Sequence, residues 1–350
     1  MIQKIKDIES PKQVKADLPF SGATYKKEIA DIVSGKKKDR IIAIVGPCSA
    51  DNPAAVLDYY RKLKQCAEDV RDKVLVVGRV YTCKPRTIST AEQYFGLVEK
   101  PTGGDGAIDY ANGIKVARQL MSEVANLGFP VSDEMLYPEN FPYFDDVLSL
   151  SVIGARCSED QFHRQVGSGI DMPLGVKNPT SGDIDVMSQS IQSSASPQEF
   201  MYRGEHVKTD GNPACFAVMR GGKNGPNYHY EDLIKAYKAM INAKGTWSTA
   251  VVDCNHANSG KDPMLQRKIA KEIIFNKFNS ERLKYFISGI MVESYIKDGV
   301  AADYDPAQRY GASITDPCLG LEKTVKLLYD IADTMRSNEK ILTGEQLTHD

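Results

Sequence analysis

Short, nearly continuous apolar runs alternate with longer segments of helical periodicity through most of the chain. Such runs are typical of parallel strands that are covered on both faces. Eight of them predict strands, over residues 40–47, 73–80, 129–134, 151–156, 172–177, 215–220, 248–254 and 285–293. Eight strand–helix units in 350 residues favour an α/β protein of the (β/α)8 TIM-barrel class over an open doubly wound sheet, which usually has fewer strands.

Two segments fall outside the repeating pattern. Residues 1–39 precede the first strand and predict an N-terminal extension, in which SGATYKKEIADIVSGKKKD forms a helix that ends near Gly35. The segment 195–214 is too long for a plain connection and predicts a small inserted hairpin. The catalytic barrel is therefore expected over residues 40–340.

Composition restricts the class of partner. The formal charge of −2 gives no global basic field, so no nucleic-acid partner is expected and any anion-binding surface must be local. The N-terminal sequence MIQKIKDIESPKQ lacks the hydrophobic segment of a signal peptide, and no run of about 18 apolar residues is present, so a cytoplasmic protein without membrane contact is expected. The seven scattered cysteines contain no CxxC pair and predict neither a disulfide framework nor a zinc ribbon.

The carboxyl ends of the predicted strands carry many charged residues. Active sites of such barrels lie at these ends. Six cations follow successive strands, and they are Arg79, Lys84, Arg86, Arg156, Lys177 and Arg220. Because like charges repel unless anions neutralise them, this cluster predicts a small, multiply anionic and phosphorylated ligand.

A second set of side chains offers metal donors. It consists of Cys48, His256, Glu293 and Asp316. Barrel closure places the first strand beside the eighth, and mixed sulfur, nitrogen and oxygen donors suit Mn, Fe, Co or Zn better than Mg or Ca. On spacing alone, Cys48 could instead be a small buried hydrophobe, His256 a hydrogen-bonded loop residue, and Cys254 the thiol ligand. His163 is expected to be structural, and no Walker or dinucleotide fingerprint occurs.

The strand-end motifs match a known family. GPCS, RVYTCKPRT, IGAR, GVKNPT, RGGKNGPNY, HAN, MVES and SITD, in this order and spacing, resemble the type I, feedback-regulated class of 3-deoxy-D-arabino-heptulosonate 7-phosphate (DAHP) synthase, from about residue 15 to residue 335. The resemblance implies a (β/α)8 barrel that needs a divalent metal, with Mn favoured. It also implies the condensation of phosphoenolpyruvate with erythrose 4-phosphate, the first step of the shikimate pathway.

The resemblance also implies residue roles. The metal ligands would be Cys48, His256, Glu293 and Asp316, and the phosphoenolpyruvate-binding residues Arg79, Arg156, Lys177 and Arg220, with Glu134 near the phosphate. The aldose phosphate would be handled by Lys84, Pro85, Arg86 and Thr87. Lys84, Arg86 and His256 are the expected catalytic residues, with Lys84 protonating the developing alkoxide and His256 or a metal-bound water managing the attacking water. A homodimer or homotetramer and an aromatic amino-acid effector, Phe or Tyr, are also implied, with residues 1–39 at the subunit contact.

Two stretches depart from the family pattern. After KPRT the family usually continues with Trp-Lys-Gly-Leu, whereas this chain reads ISTAEQYFGLVEKPTGGDG, of which only Gly96 and Leu97 match, and the segment 195–214 is shorter than in feedback-inhibited members. Three alternatives stay open. They are a sister synthase that uses arabinose 5-phosphate, against which the KPRT segment argues, an enzyme for another four-carbon aldehyde phosphate, and a non-catalytic metabolite-binding paralogue.

Overall fold

Eight parallel strands close into a barrel in the computed structural model, which describes residues 1–86, 94–102, 106–242, 248–301 and 309–339. In chain order the strands are β1 (Ile41–Gly46), β2 (Val74–Arg79), β3 (Val131–Met135), β4 (Leu150–Ile153), β5 (Leu174–Lys177), β6 (Gln198–Tyr202), β7 (Glu205–Thr209), β8 (Cys215–Met219), β9 (Ala250–Asp253), β10 (Ile287–Tyr295) and β11 (Leu319–Gly320). The barrel runs β1-β2-β3-β4-β5-β8-β9-β10, and β11 adds to the end of β10.

Pairing of β1 with β10 closes the barrel. The two strands run parallel, with Gly46 opposite Glu293 at their carboxyl ends. This register confirms the predicted class, and each predicted apolar run overlaps one barrel strand. The loop after β1 therefore lies beside the end of the eighth barrel strand, as the metal-donor hypothesis requires.

Helices surround the barrel, and one of them closes its end. They span Pro11–Asp17, Lys26–Val33, Pro53–Asp69, Tyr110–Asn126, Gln161–Gly167, Ile184–Ala195, Tyr230–Asn242, His256–Ser259, Leu265–Phe278, Leu283–Phe286 and Leu321–Ser337, with a 3-10 turn over Phe141–Tyr143. The helix after β1 begins at Pro53, whose fixed φ suits the first helical position, and the Asn52 side chain accepts a hydrogen bond from the Ala55 N–H at 3.1 Å. No helix of the described residues is both long and apolar enough to cross a bilayer.

The core has two layers because successive side chains of a strand face opposite ways. In β1, Ile42 and Ile44 point into the barrel, whereas Ile41, Ala43 and Val45 pack against the surrounding helices. Every residue of β1 is buried, which explains why its sequence is a continuous apolar run rather than an alternating one.

The N-terminal extension closes the end of the barrel opposite the strand carboxyl ends. Its helix Lys26–Val33 adds Ile29, Ile32 and Val33 to the inner core, and the Val33 carbonyl accepts a hydrogen bond from the Thr249 hydroxyl at 2.6 Å. The helix ends at the predicted place, since Gly35 takes a left-handed φ of 74°.

The predicted insertion is a two-stranded antiparallel hairpin, which confirms the interpretation of segment 195–214. Strands β6 and β7 pair with Tyr202 opposite Glu205, around a turn in which Arg203 and Gly204 both have positive φ. Phe162 of the helix Gln161–Gly167 packs against Tyr202 with ring centroids 5.9 Å apart. The hairpin is therefore fastened to the outside of the barrel.

Candidate functional site

A pocket of about 380 Å³ opens where the strands end. Its wall contains all six cations predicted from the strand ends, namely Arg79, Lys84, Arg86, Arg156, Lys177 and Arg220. It also contains Cys48, Pro85, Glu134, His256 and Asp316, together with Tyr81, Cys83, Leu136, Ala155 and Lys261. The barrel thus brings the predicted anion-binding residues and most of the predicted metal donors to one cavity.

Three of the predicted metal donors form a tight group. Ligand atoms of Cys48, Glu293 and Asp316 all lie within 4.8 Å of one another. The Lys84 ammonium lies against this group, with Nζ 2.7 Å from Cys48 Sγ and 2.9 Å from Asp316 Oδ2. A thiol that can lose its proton to a metal, together with two carboxylates, is a donor set that fits a divalent transition ion.

His256 lies at the edge of this group. Its Nδ1 contacts the Asp253 carboxylate at 2.8 Å, and its Nε2 is 3.5 Å from Glu293 Oε1. A carboxylate at Nδ1 fixes the ring and leaves Nε2 facing the other donors, which is the usual arrangement of a metal-binding histidine. The position of His256 is therefore suited to a fourth metal ligand, and that of Asp253 to orienting its ring.

Arg79 holds two of these donors in place. Its guanidinium donates hydrogen bonds to the Pro47 and Cys48 carbonyls and, at 2.7 Å, to Glu293 Oε1. Glu293 is completely buried, and although burial alone would raise its pKa, the Arg79 charge keeps that pKa below its usual value. Arg79 was expected to bind substrate, and in this structure most of its hydrogen bonds go to the metal-donor loops.

Charge also sets the protonation of the other donors. Burial, reinforced by the Glu293 charge, raises the pKa of the Cys48 thiol above its ordinary value, so a bound metal must displace the thiol proton. Burial would raise the pKa of Asp316 too, but the Lys84 and Lys261 ammonium groups hold it well below its usual range. Lys261 Nζ lies 2.8 Å from Asp316 Oδ1, so a lysine contacts each oxygen of this carboxylate.

The cations of strands β4, β5 and β8 form the other side of the pocket. Lys177 Nζ donates to Glu134 Oε1 at 2.7 Å, and although burial opposes the effect, the Lys177 charge lowers the Glu134 pKa. The Arg220 N–H donates to Asn178 Oδ1 at 2.9 Å, whereas its guanidinium has no carboxylate partner in the described ranges. These backbone and carboxylate contacts fix the cations at the strand ends, where anionic groups can reach them.

The segment Lys84–Pro85–Arg86 leads away from β2 along the pocket wall. The Arg86 guanidinium donates two hydrogen bonds to the Tyr94 carbonyl, at 3.1 and 2.8 Å. Thr87, expected to handle the aldose phosphate, lies outside the described residues. The structure therefore brings Lys84, Pro85 and Arg86 to the pocket.

Two weaker candidates lie away from the donor group. The Cys254 thiol is buried and directed at the Val252 carbonyl, 3.7 Å away, so the thiol near the carboxylates is that of Cys48. His163 is buried between the Asp160 carboxylate and the Leu136 carbonyl. That position agrees with the structural role expected for it.

Several residues of the site had no strand-end signal. Tyr81 and Lys261 line the pocket, Asp253 orients His256, and the Asn255 amide donates to Glu293. Asp253 could have been found, because it precedes His256 by three residues in the motif DCNHAN and carboxylates often accompany metal-binding histidines. Tyr81 and Lys261 belong to loops whose side-chain directions no periodicity predicts.

The chain is similar to known proteins over most of its length. The sequence model of the DAHP synthetase I family matches residues 12–329. A similar curated relative is the Tyr-sensitive phospho-2-dehydro-3-deoxyheptonate aldolase of Escherichia coli K12, 36% identical over 335 residues that cover 92% of this chain and 91% of the relative. The tyrosine-inhibited phospho-2-dehydro-3-deoxyheptonate aldolase of Schizosaccharomyces pombe is 35% identical, covering 93% of this chain and 90% of the relative.

The fold of this chain is also similar to solved structures of proteins with this name. The phospho-2-dehydro-3-deoxyheptonate aldolase of Francisella tularensis SCHU S4 superimposes with a TM-score of 0.90 at 31% identity, covering 97% of this chain and 99% of the other. The enzyme of that name from Thermotoga maritima superimposes with a TM-score of 0.56 at 17% identity, covering 85% of this chain and 70% of the other. The second likeness supports the barrel fold alone.

Proposed function

The chain belongs to the DAHP synthetase I family, and on that premise we propose that the barrel-mouth pocket is its active site. Its reaction condenses phosphoenolpyruvate, erythrose 4-phosphate and water to DAHP and inorganic phosphate, the first step of the shikimate pathway. One observation carries the assignment to this pocket. The six strand-end cations line the same cavity as Cys48 and Asp316, whose ligand atoms lie within 4.8 Å of those of the buried Glu293, so an anionic substrate would lie beside a metal.

We assign phosphoenolpyruvate to the side of the pocket formed by strands β4, β5 and β8. Arg156, Lys177 and Arg220 offer charged donors there for its phosphate and carboxylate. Glu134 accepts from Lys177 and so fixes the direction of that ammonium. Binding both anionic groups would leave the methylene carbon of the substrate free to face an aldehyde.

We assign the metal to Cys48, Glu293, Asp316 and His256, and favour Mn. A bound divalent ion would supply Lewis-acid polarisation of the aldehyde oxygen. This chain's own residues prepare the donors, since Arg79 fixes Glu293 and the Cys48 loop while Asp253 fixes His256. Arg86, beside Lys84 in sequence, would hold the terminal phosphate of the aldose at a set distance from this group.

Lys84 is our candidate proton donor. Burial would lower its pKa, but the Cys48, Glu293 and Asp316 charges raise it above the ordinary value, so the ammonium form persists at neutral pH. When carbon 3 of phosphoenolpyruvate bonds to the aldehyde carbon, the aldehyde oxygen takes the Lys84 proton. Water then adds to carbon 2, and one of its two protons restores the Lys84 ammonium while the other leaves with the phosphate when the carbon–oxygen bond breaks and inorganic phosphate is released. His256 would not take part in this transfer while its Nε2 binds the metal and its Nδ1 contacts Asp253.

The choice of aldose phosphate is the sharpest test of this assignment. The experiment compares kcat/KM for erythrose 4-phosphate, arabinose 5-phosphate and ribose 5-phosphate, at saturating phosphoenolpyruvate and Mn, with phosphate release as the readout. Because Arg86 follows the rigid Pro85, its distance from the metal donors should favour the four-carbon aldose. A preference for either pentose phosphate would contradict the assignment, and no release with any aldose would favour a non-catalytic paralogue.

We further propose that an aromatic amino acid regulates the enzyme from a groove beside the hairpin. This groove, of about 600 Å³, lies between the hairpin and the Phe141–Tyr143 turn, with Phe200 and Tyr202 on its apolar wall and Arg203 and Glu205 among its charged residues. Apolar walls with a few charges suit an aromatic ring that carries ammonium and carboxylate groups. Two relatives are named Tyr-sensitive and tyrosine-inhibited, which favours tyrosine over phenylalanine as the effector.

Initial rates with increasing tyrosine or phenylalanine test this groove. Arg203→Ala should weaken inhibition by the effective amino acid, because it removes a charged partner for the ligand carboxylate. Rates that neither amino acid lowers at millimolar concentration would refute the effector proposal without affecting the active-site assignment.

We also propose a homodimer or homotetramer, in which residues 1–39 contact a neighbouring subunit, and a cytoplasmic location. The extension carries exposed apolar side chains at Met1, Ile2 and Ile5, which a second subunit would cover. All seven cysteines are free thiols, which fits a reducing compartment.

A further inference from the structure

Tyr81 forms part of the floor of the active-site pocket. It follows β2 by two residues, is 1% exposed, and packs with the inner barrel core formed by residues such as Ile44 and Val77. Its hydroxyl reaches only the Met291 sulfur among described side chains, at 4.0 Å, which is a weak contact. The ring rather than the hydroxyl is therefore the part of Tyr81 that the site uses.

The face of this ring lies against two of the pocket cations. The Arg79 guanidinium carbon is 3.8 Å from the ring centroid, and the Lys177 ammonium is 5.5 Å from it. Both distances are within the range of cation–π attraction, which grows when the cation is shielded from water. Arg79 and Lys177 are 2% and 3% exposed, so the attraction acts here between buried groups.

A ring has an advantage over other side chains at this position. Arg79 and Lys177 each already have one carboxylate partner, Glu293 and Glu134 respectively. A third carboxylate would cancel the positive potential that an anionic substrate needs, and an aliphatic side chain would offer the cations no electrostatic attraction. The negative face of an aromatic ring attracts both cations while adding no net charge.

We infer that Tyr81 is a positioning residue for phosphoenolpyruvate, which holds Arg79 and Lys177 in place through the face of its ring. The inference rests on the proposed phosphoenolpyruvate site. Tyr81→Phe keeps the ring, so its affinity for the substrate should stay within about twofold of the parent enzyme. Tyr81→Leu loses the ring face, so its affinity should fall at least about tenfold, in line with the strength of a desolvated cation–π contact.

The measurement is calorimetric titration of the Mn-loaded protein with phosphoenolpyruvate alone, supported by separate KM values for the two substrates. Phe286→Leu is the matched control, because Phe286 is also fully buried but packs against Tyr237 just before the start of β10, at the end of the barrel opposite the pocket. It should lower the melting temperature while leaving phosphoenolpyruvate affinity unchanged. A ring role also predicts that the KM for phosphoenolpyruvate rises more than the KM for erythrose 4-phosphate in Tyr81→Leu.

If Tyr81→Leu does not fold, pentafluorophenylalanine at position 81 replaces it in the test. Fluorine withdraws electrons from the ring face and leaves the shape nearly unchanged, so affinity should fall relative to Tyr81→Phe. Parent-like phosphoenolpyruvate affinity in Tyr81→Leu would overturn the inference. If that variant does not fold, parent-like affinity in the fluorinated variant would overturn it instead. A loss of affinity in Tyr81→Phe as large as in Tyr81→Leu would also overturn it. Arg220→Ala distinguishes a failure of the Tyr81 inference from a failure of the proposed phosphoenolpyruvate site, since parent-like affinity in Arg220→Ala would reject the site itself.

Discussion

At the scale of single residues, the position of Cys48 decides its chemistry. Cys48 and Cys66 are both buried free thiols, but only Cys48 lies with Glu293 and Asp316. We expect Cys48→Ala to lower Mn affinity at least about tenfold, because a donor is removed, and Cys66→Ala to leave it unchanged. Metal titration of the chelator-stripped proteins measures this without turnover. Equal Mn affinity in Cys48→Ala and the parent protein would contradict the donor assignment.

Glu99 gives a residue-scale prediction about pH. It is 3% exposed, and neither carboxylate oxygen has a hydrogen-bond partner among the described residues. Burial raises its pKa from 4.5 to about 7, which its own backbone N–H and the nearby Cys83 thiol oppose and the Asp133 charge slightly reinforces. Because the pKa is higher in the folded state, the stabilisation is complete below about pH 4.5 and is lost as pH rises through about 7.

Glu99→Gln should remove this dependence, since an amide does not ionise. A shift of this size corresponds to a loss on the order of 3 kcal/mol between pH 4.5 and pH 8. Thermal unfolding at several pH values should therefore show a smaller decrease in melting temperature for Glu99→Gln than for the parent protein. Glu281→Gln, at an exposed position, should keep the parental slope. Identical slopes for parent and Glu99→Gln would show that Glu99 is not the group that titrates.

The sequence could predict which residues reach the site better than what each of them contacts. Cys48, Lys177 and Arg220 were found because the carboxyl end of a parallel strand fixes its side of the barrel. Side-chain direction in loops has no such period. The hydrogen bonds of Arg79 to the Cys48 carbonyl and to Glu293 therefore had no signal in the sequence, and neither did the packing of Tyr81 against Arg79.

At the scale of elements, the helix after β1 depends on its N-cap. The Asn52 side chain accepts from the Ala55 N–H, at the end of the loop that also carries Cys48. Asn52→Ala should lower the free energy of unfolding by about 1 kcal/mol and the melting temperature by about 2 °C. Asn52→Asp keeps a hydrogen-bond acceptor and should therefore keep most of the stability. Chemical denaturation measures the difference. An alanine variant as stable as the parent would show that the cap contributes nothing.

The hairpin and the strand β11 differ in how far the sequence predicts them. The hairpin Gln198–Thr209 was predicted because its segment is too long for a plain connection. The two-residue strand β11 was not predicted, since a run that short has no period and forms only because β10 extends past the barrel. Short elements of this kind arise from tertiary pairing rather than local sequence.

At the scale of the whole molecule, the N-terminal segment predicts assembly. Met1, Ile2 and Ile5 are almost fully exposed, and Ile2, Ile5 and Ile8 recur every third residue. Apolar side chains at this spacing gain from burial against another surface, at about 25 cal/mol for each Å² removed from water. We therefore expect light scattering at micromolar concentration to give the mass of a dimer or tetramer.

Removing the apolar groups should weaken that assembly without unfolding the barrel. The double variant Ile2→Ser, Ile5→Ser should dissociate to the monomer at a higher protein concentration than the parent, because less apolar surface is buried between subunits. The barrel should stay folded, since neither side chain belongs to its core. Its melting temperature at high protein concentration should stay close to that of the parent, since mass action keeps the subunits together there. A parent protein that is monomeric throughout would reject the assembly. An oligomer whose dissociation the double variant leaves unchanged would place the contact elsewhere on the barrel.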